Sequence, residues 1–288
     1  MDTVPYEFVE NVCFCILPYR WASIKPFSEL SGVYRISANK LLEEGLVEKN
    51  NIVNGTLDST NLSYFRNFPN TTNLISDLEV KVPKRILINI VDVRPIQPAK
   101  TPKINFQLKN SLCTFLYLFS DNYNLDWISK LNSSVPIPFV LLRITSSEFL
   151  NKTLKMLVDT KRLVHIQNQL STTNDETRNL LVDPLQQDQF KCLYMFQLDE
   201  PLLEAMIEAW KAAPSKFVGK IVTLQARYDI QRCLFTKGKR TYATKQVFFI
   251  KMQSGTLKVA YYNYKARFDM ELKEFLEGVT VSSVTFHN

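Results

Sequence analysis

Glycine is scarce in this sequence, with seven residues in 288, about a third of the usual ~7%. The shortage excludes whole classes of chemistry. No G-x-x-x-x-G-K-[ST], G-x-G-x-x-G or G-x-S-x-G is present, so neither a backbone cradle for phosphates nor a nucleophile elbow is encoded. Histidine is scarcer still: any histidine-based triad must use His165 or His287. His287 is the penultimate residue, and His165 sits in Leu163-Val164-His165-Ile166, the setting of an ordinary sheet histidine. Cys-x-x-Cys and His-x-x-x-His pairs are missing. Cys13-x-Cys15 lies in an apolar helical pattern where that spacing sends the two thiols to different faces. No catalytic residue, metal site or cofactor is therefore expected. No apolar run approaches the ~20 residues of a membrane span, and the opening Met1-Asp2-Thr3-Val4-Pro5, with Glu7 and Glu10 close behind, lacks the pattern of a secretory signal. The expectation is an intracellular protein, cytoplasmic or nuclear, without a membrane partner.

What is present is an ordinary folding composition, 45% hydrophobic and 22% charged, which argues against disorder and against a coiled coil. Lys and Arg outnumber Asp and Glu by 35 to 28, a net charge of +7, which permits acidic partners without requiring them. The cations fall in small groups such as Lys152-Lys155-Lys161-Arg162 and Lys258-Lys265-Arg267 and never in a run of five or six, the pattern of solvated faces. Five cysteines, Cys13, Cys15, Cys113, Cys192 and Cys233, lie mostly in apolar stretches and read as reduced core thiols.

Periodicity organises the chain. After Pro5, apolar residues recur at helical spacing to Leu17, where Pro18 stops them. A second helix follows from Ser28, a capping residue, to Gly45, with Leu30, Val33, Tyr34, Leu41 and Leu42 on one face. These define a helical unit over 1–48. Residues 50–77 are rich in Asn, Ser and Thr, which compete for backbone hydrogen bonds, and read as a linker or irregular entry to a second domain over 49–288. There, strands are expected at Arg85–Val93, Lys103–Leu108, Leu112–Phe119, Pro138–Thr145, Val218–Tyr228, Thr244–Gln253, Thr256–Arg267 and Thr280–Phe286. Helices are expected at Glu148–Asp159, Pro201–Ala213 and Glu271–Val279. Strands and helices do not alternate strictly, which favours an α+β fold with a mixed or antiparallel sheet and packed helices.

The opening Met1-Asp2-Thr3-Val4-Pro5-Tyr6-Glu7-Phe8-Val9-Glu10-Asn11-Val12, its apolar helix, and the later Leu30-Ser31-Gly32-Val33-Tyr34 resemble the nematode-expanded F-box proteins. Val4-Pro5 stands where that family has Leu-Pro, and Tyr19-Arg20-Trp21 stands in place of its Asp-Leu. The resemblance covers about 45 residues. It implies a non-enzymatic substrate receptor that binds a Skp-type adaptor of a cullin–RING ubiquitin ligase and holds a protein target through its C-terminal domain. A helical unit too small to bury both its sides leaves an apolar face. Val4, Pro5, Phe8, Val12, Ile16, Leu17, Trp21 and Ile24 are the candidate adaptor-binding residues. The alternative is nucleic-acid binding by a basic, tyrosine-bearing sheet surface. If 256–267 is one strand, Tyr261, Lys265 and Arg267 share a face with Asn263, compatible with base stacking and phosphate contact.

Overall fold

The second expected helix forms as α1 (Val33–Glu44). Gly32 at its N-cap has φ 64, a left-handed conformation that glycine adopts without a Cβ clash, so the helix starts there and not at Ser28. Gly45 ends it with extended backbone, donating its N–H to the Leu41 carbonyl. In this computed structural model the described residues are 27–53, 56–64, 86–94, 113–119, 125–144, 147–169, 173–197, 199–225, 240–242, 244–252, 255–267 and 269–287. Two compact units divide the chain, Met1–Val140 and Leu141–Asn288.

In the first unit, α1 lays Ala38 and Leu41 on Val47, Ile88, Ile90, Cys113 and Phe115 of a sheet. Strand β1 (Leu46–Val53) pairs antiparallel with β2 (Thr56–Tyr64) and parallel with β3 (Ile86–Arg94), which in turn pairs parallel with β4 (Cys113–Leu118). The domain boundary expected after residue 48 thus falls inside a strand, and the expected linker begins as a hairpin. The polar residues that suggested a linker satisfy one another. The Asn50 amide donates to Glu48 Oε2 at 3.1 Å, the Thr60 hydroxyl to Asn50 Oδ1 at 2.9 Å, and the Asn51 amide to Ser59 Oγ at 2.8 Å. Residues that would break a strand singly support it as cross-strand pairs. Helix α2 (Leu125–Ser134), which periodicity did not signal, buries Trp127, Ile128 and Leu131. Short strand β5 (Phe139–Leu142) lies where the two units meet in sequence.

The second unit confirms the α+β reading with a mixed sheet. Strands β6 (His165–Asn168), β7 (Cys192–Met195) and β8 (Ile221–Leu224) run parallel. Beyond β8 the pairing is antiparallel and the order becomes β12, β11, β10, β9, that is Val281–His287, Gly255–Tyr262, Lys245–Met252 and Arg240–Tyr242. Helices α3 (Ser147–Asp159), α4 (Asp175–Val182) and α5 (Glu200–Ala212) precede β6, β7 and β8 in turn, and pack α3 on α4 and α4 on α5. Right-handed crossovers that always step the same way along a sheet put their helices on one side. Trp210 of α5 meets Phe286 of β12 at 5.8 Å, and Phe217 of the short α6 (Pro214–Phe217) meets the same ring at 5.2 Å. The helix-side core therefore runs through Leu193, Val222, Val284 and Phe286.

Local hydrogen bonds fix the connections. Asp199 caps α5, accepting from the Leu202 N–H at 3.1 Å and from the Thr173 hydroxyl at 2.5 Å, and Asn174 caps α4 through the Thr177 N–H. Lys220, only 2% exposed, donates from Nζ to the carbonyls of Gln187, Asp188 and Phe190 at 2.6, 3.2 and 2.6 Å. Burial, with Lys191 adding, pushes its pKa down to about 8. The strand expected over Thr256–Arg267 ends at Tyr262 and that over Val218–Tyr228 spans only Ile221–Leu224. The expected strand Lys103–Leu108 lies outside the described residues. The final helix forms as α7 (Leu272–Glu277). Among the described residues no helix is long and apolar enough to cross a membrane.

Candidate functional site

Strands alternate sides, so a sheet with helices on one face must present every second side chain on the other. In the second unit that other face is legible from the register. His165, Cys192, Ile221, Thr285, Lys258 and Phe249 form one row across six strands, and Gln167, Tyr194, Thr223, Ser283, Ala260 and Val247 form the next. Their sequence neighbours Ile166, Leu193, Val222, Val284, Val259 and Phe248 are buried. The first row is half-buried to exposed throughout, with Ile221 at 36% and Phe249 at 37%. In the second row only the paired Ala260 and Val247 are buried. Both have short side chains, flanked along their strands by Lys258, Tyr262, Lys245 and Phe249.

Aromatic side chains gather at one end of this face, beside the carboxyl ends of β7 and β8. Tyr194 and Phe196 meet edge to face at 5.1 Å. Tyr262 stacks with Tyr264 at 6.4 Å and 22°, and the Lys245 ammonium lies 5.2 Å from the Tyr262 ring centroid, a cation–π distance. Burial raises the Tyr194 phenol pKa, with Tyr264 adding to it. Tyr264 is 69% exposed.

Asn263 positions the turn that carries Tyr264. Its side chain, 3% exposed, donates to the Phe275 carbonyl at 2.9 Å and accepts from the Lys265 N–H at 3.0 Å, while its backbone N–H donates to the Thr244 carbonyl. One amide thus fastens strand end, turn and α7 together. Gly278 makes the space: a Cβ there would meet Asn263 Nδ2 at 2.3 Å, well inside van der Waals contact.

The residues singled out from sequence fare differently. Val4, Pro5, Phe8, Val12, Ile16, Leu17, Trp21 and Ile24 lie outside the described residues. Tyr261 belongs to the helix side of the sheet, 3% exposed and edge-on to Phe248 at 5.6 Å, so it offers no ring face to a base. Lys265 and Arg267 are exposed in the turn after β11, with Arg267 3.9 Å from Asp269. The three do not share one strand face, because the strand stops at Tyr262. Tyr194, Phe196 and Lys245 were missed. The signal for the two aromatics was the alternation in Cys192-Leu193-Tyr194-Met195-Phe196, where apolar and half-exposed positions have period two.

The thiols and the histidine are held in their neutral forms. Burial pushes Cys113 up to about 12. It pushes Cys192 up to about 11 against an opposing Thr223 hydrogen bond, and both cysteines carry thiols. Burial pushes His165 down to about 4. A protonated thiol is a poor nucleophile and a histidine with that pKa is a weak base at neutrality.

A second polar cluster lies in the first unit, at the carboxyl ends of β1, β3 and β4. Asp92, 1% exposed, accepts from Arg94 Nε and Nη2 at 2.9 and 2.8 Å, and Lys49 Nζ stands 3.7 Å away. Arg94 also lies 5.1 Å from the Phe119 ring centroid. The Asp92 hydrogen bond and charge raise the Arg94 pKa. Burial and then Asp92 push the adjacent Tyr117 up to about 12. Both carboxylate oxygens are committed to a bidentate pair, a strong charge-assisted geometry. Among the described residues no three His, Cys, Asp or Glu side chains stand where they could hold a metal ion.

No family model, curated protein or solved structure matches this chain.

Proposed function

We propose that this chain is a non-enzymatic protein-interaction module, a receptor that docks a Skp-type adaptor through its first 48 residues and holds a protein target on its C-terminal domain. The observation that carries the second half is the sheet face of residues 141–288 opposite the one that meets Trp210 and Phe217, on which Tyr194, Phe196, Tyr262 and Tyr264 gather beside Lys245. Half-exposed aromatics next to cations are the composition of protein-binding surfaces. The first half rests on the resemblance of the opening segment, Met1 to Val12, to an F-box start. Val4, Pro5, Phe8, Val12, Ile16, Leu17, Trp21 and Ile24 supply the apolar contact.

The test is direct binding of the purified full-length chain to a purified Skp-type adaptor, read by size-exclusion chromatography with light scattering. A one-to-one complex is expected, and Phe8→Asp together with Ile16→Asp abolishes it while leaving the thermal midpoint unchanged. Absence of a complex with the unaltered chain at about 10 µM, a concentration at which a specific interface of ordinary size is populated, overturns the receptor reading.

A further inference from the structure

On the sheet face opposite Trp210 and Phe217, the charged side chains at the described strand positions all have one sign. Lys245, Lys251 and Lys258 occupy it, and among its described positions on β6, β7, β8, β12, β11 and β10 there is no Asp or Glu. The opposite side of the same unit is mixed, with Lys152 paired to Glu148 and Lys211 to Glu208. The face lysines are also spaced. Lys245 and Lys251 are six residues apart on one strand, roughly 20 Å at ~3.4 Å per residue. Lys258 lies between them on the neighbouring strand, opposite Phe249. The half-exposed Phe249 and Ile221 separate and flank the cations.

We propose that this face takes an extended polypeptide segment in which acidic residues alternate with apolar ones. The carboxylates meet Lys245, Lys251 and Lys258, and the apolar side chains cover Phe249 and Ile221 and pack beside Tyr262 and Tyr194. Three cations over this length, with apolar groups between them, match sparse carboxylates. A phosphate backbone, which places a charge at every nucleotide, would leave charges facing Phe249 and Ile221. Tyr262 already has Lys245 over its ring and Tyr264 stacked beside it, which leaves less ring face for a base. This assignment rests on the receptor reading and names the chemistry of its target.

The probe is a fluorescein-labelled twelve-residue peptide with glutamate alternating with leucine or serine, measured by anisotropy against the full-length chain in 50 mM and 200 mM salt. The comparison probes are the same peptide with glutamine for glutamate and a twelve-nucleotide poly-uridine RNA. The acidic peptide is expected to bind best, with affinity falling several-fold at the higher salt. Lys245→Gln, Lys251→Gln and Lys258→Gln together should weaken it about tenfold, the scale of three partly screened ion pairs. The control Lys152→Gln, Lys155→Gln and Lys211→Gln removes the same charge from α3 and α5 and should leave affinity unchanged. Equal loss in both triple variants, equal binding of the glutamine peptide, or preferential binding of the RNA overturns the proposal. Adaptor binding is measured separately at the N-terminal segment, so a failure here with an intact adaptor complex sinks the acidic target and spares the receptor. Loss of adaptor binding with a selective acidic peptide does the reverse.

Discussion

The two units bury polar groups in different ways. In residues 1–140, Glu48, Asn50 and Asp92 are each about 1% exposed, and they pair with side chains of the same or a neighbouring strand. In residues 141–288, Asp199, Lys220 and Asn263 are also buried, and beside side-chain pairs such as the Thr177 hydroxyl on Asn151 Oδ1 they bond to backbone: a helix N–H, three loop carbonyls, and a carbonyl of α7. The first arrangement decides which strands pair and in what register. The second fixes where connections between elements run. The consequence for function is that the second unit can hold a loop such as Tyr264-Lys265 in place from inside, through Asn263.

The largest effect that would break this comparison is expected at Lys220. Replacement by Met keeps the length and apolar stem and removes all three donors, leaving the carbonyls of Gln187, Asp188 and Phe190 without their charged partner. Charge-assisted bonds and the cost of stranded buried acceptors put the loss at about 3 kcal/mol, read as a lower urea midpoint. If Lys220→Met is neutral, buried polar groups in the second unit are not what fixes its connections.

Next is the acid sensitivity that comes from histidine, which lies wholly in the second unit, since residues 1–140 contain none. His165 stays neutral in the folded chain down to about 4, against 6.5 for the free side chain. Between those values the unfolded chain binds the extra proton, so stability falls as pH falls. About 2 kcal/mol should be lost between pH 7 and pH 5. Urea midpoints measured across that range should slope downward toward acid, and His165→Gln should flatten the slope. An unchanged slope in the variant removes His165 from this role.

These contrasts also explain what the sequence disclosed. Helices α3 and α5 were legible because Leu150, Leu154 and Leu157, or Leu203, Met206 and Trp210, repeat within a few residues. Strand β1 was not, because Asn50 and Asn51 look like turn residues until their partners Thr60 and Ser59, brought opposite by the hairpin, are known. The aromatic end of the face was half legible. Tyr261, Lys265 and Arg267 were legible as a group, but the pairing of Tyr262 with Lys245 depends on the β10–β11 register, and the burial of Tyr261 depends on which side the helices cover.

The smallest expected effect tests the cross-strand half of the comparison. Thr60 sits on β2, is itself exposed, and donates its hydroxyl to Asn50 Oδ1 at 2.9 Å, while Asn50 is 1% exposed. Thr60→Val preserves shape and strand propensity and takes away only that donor. The Asn50 oxygen then loses its bond while its amide still donates to Glu48, so the cost should be about 1 kcal/mol. Asn50→Val with Thr60→Val removes acceptor and donor together and should cost less than the sum of the two single changes, the signature of a direct pair in a double-mutant cycle. Additive losses would mean that the hydroxyl and the amide act independently. The hairpin at residues 46–64 would then owe its register to the burial of Val47 and Ile52 on strand β1, and the two units would differ in composition only.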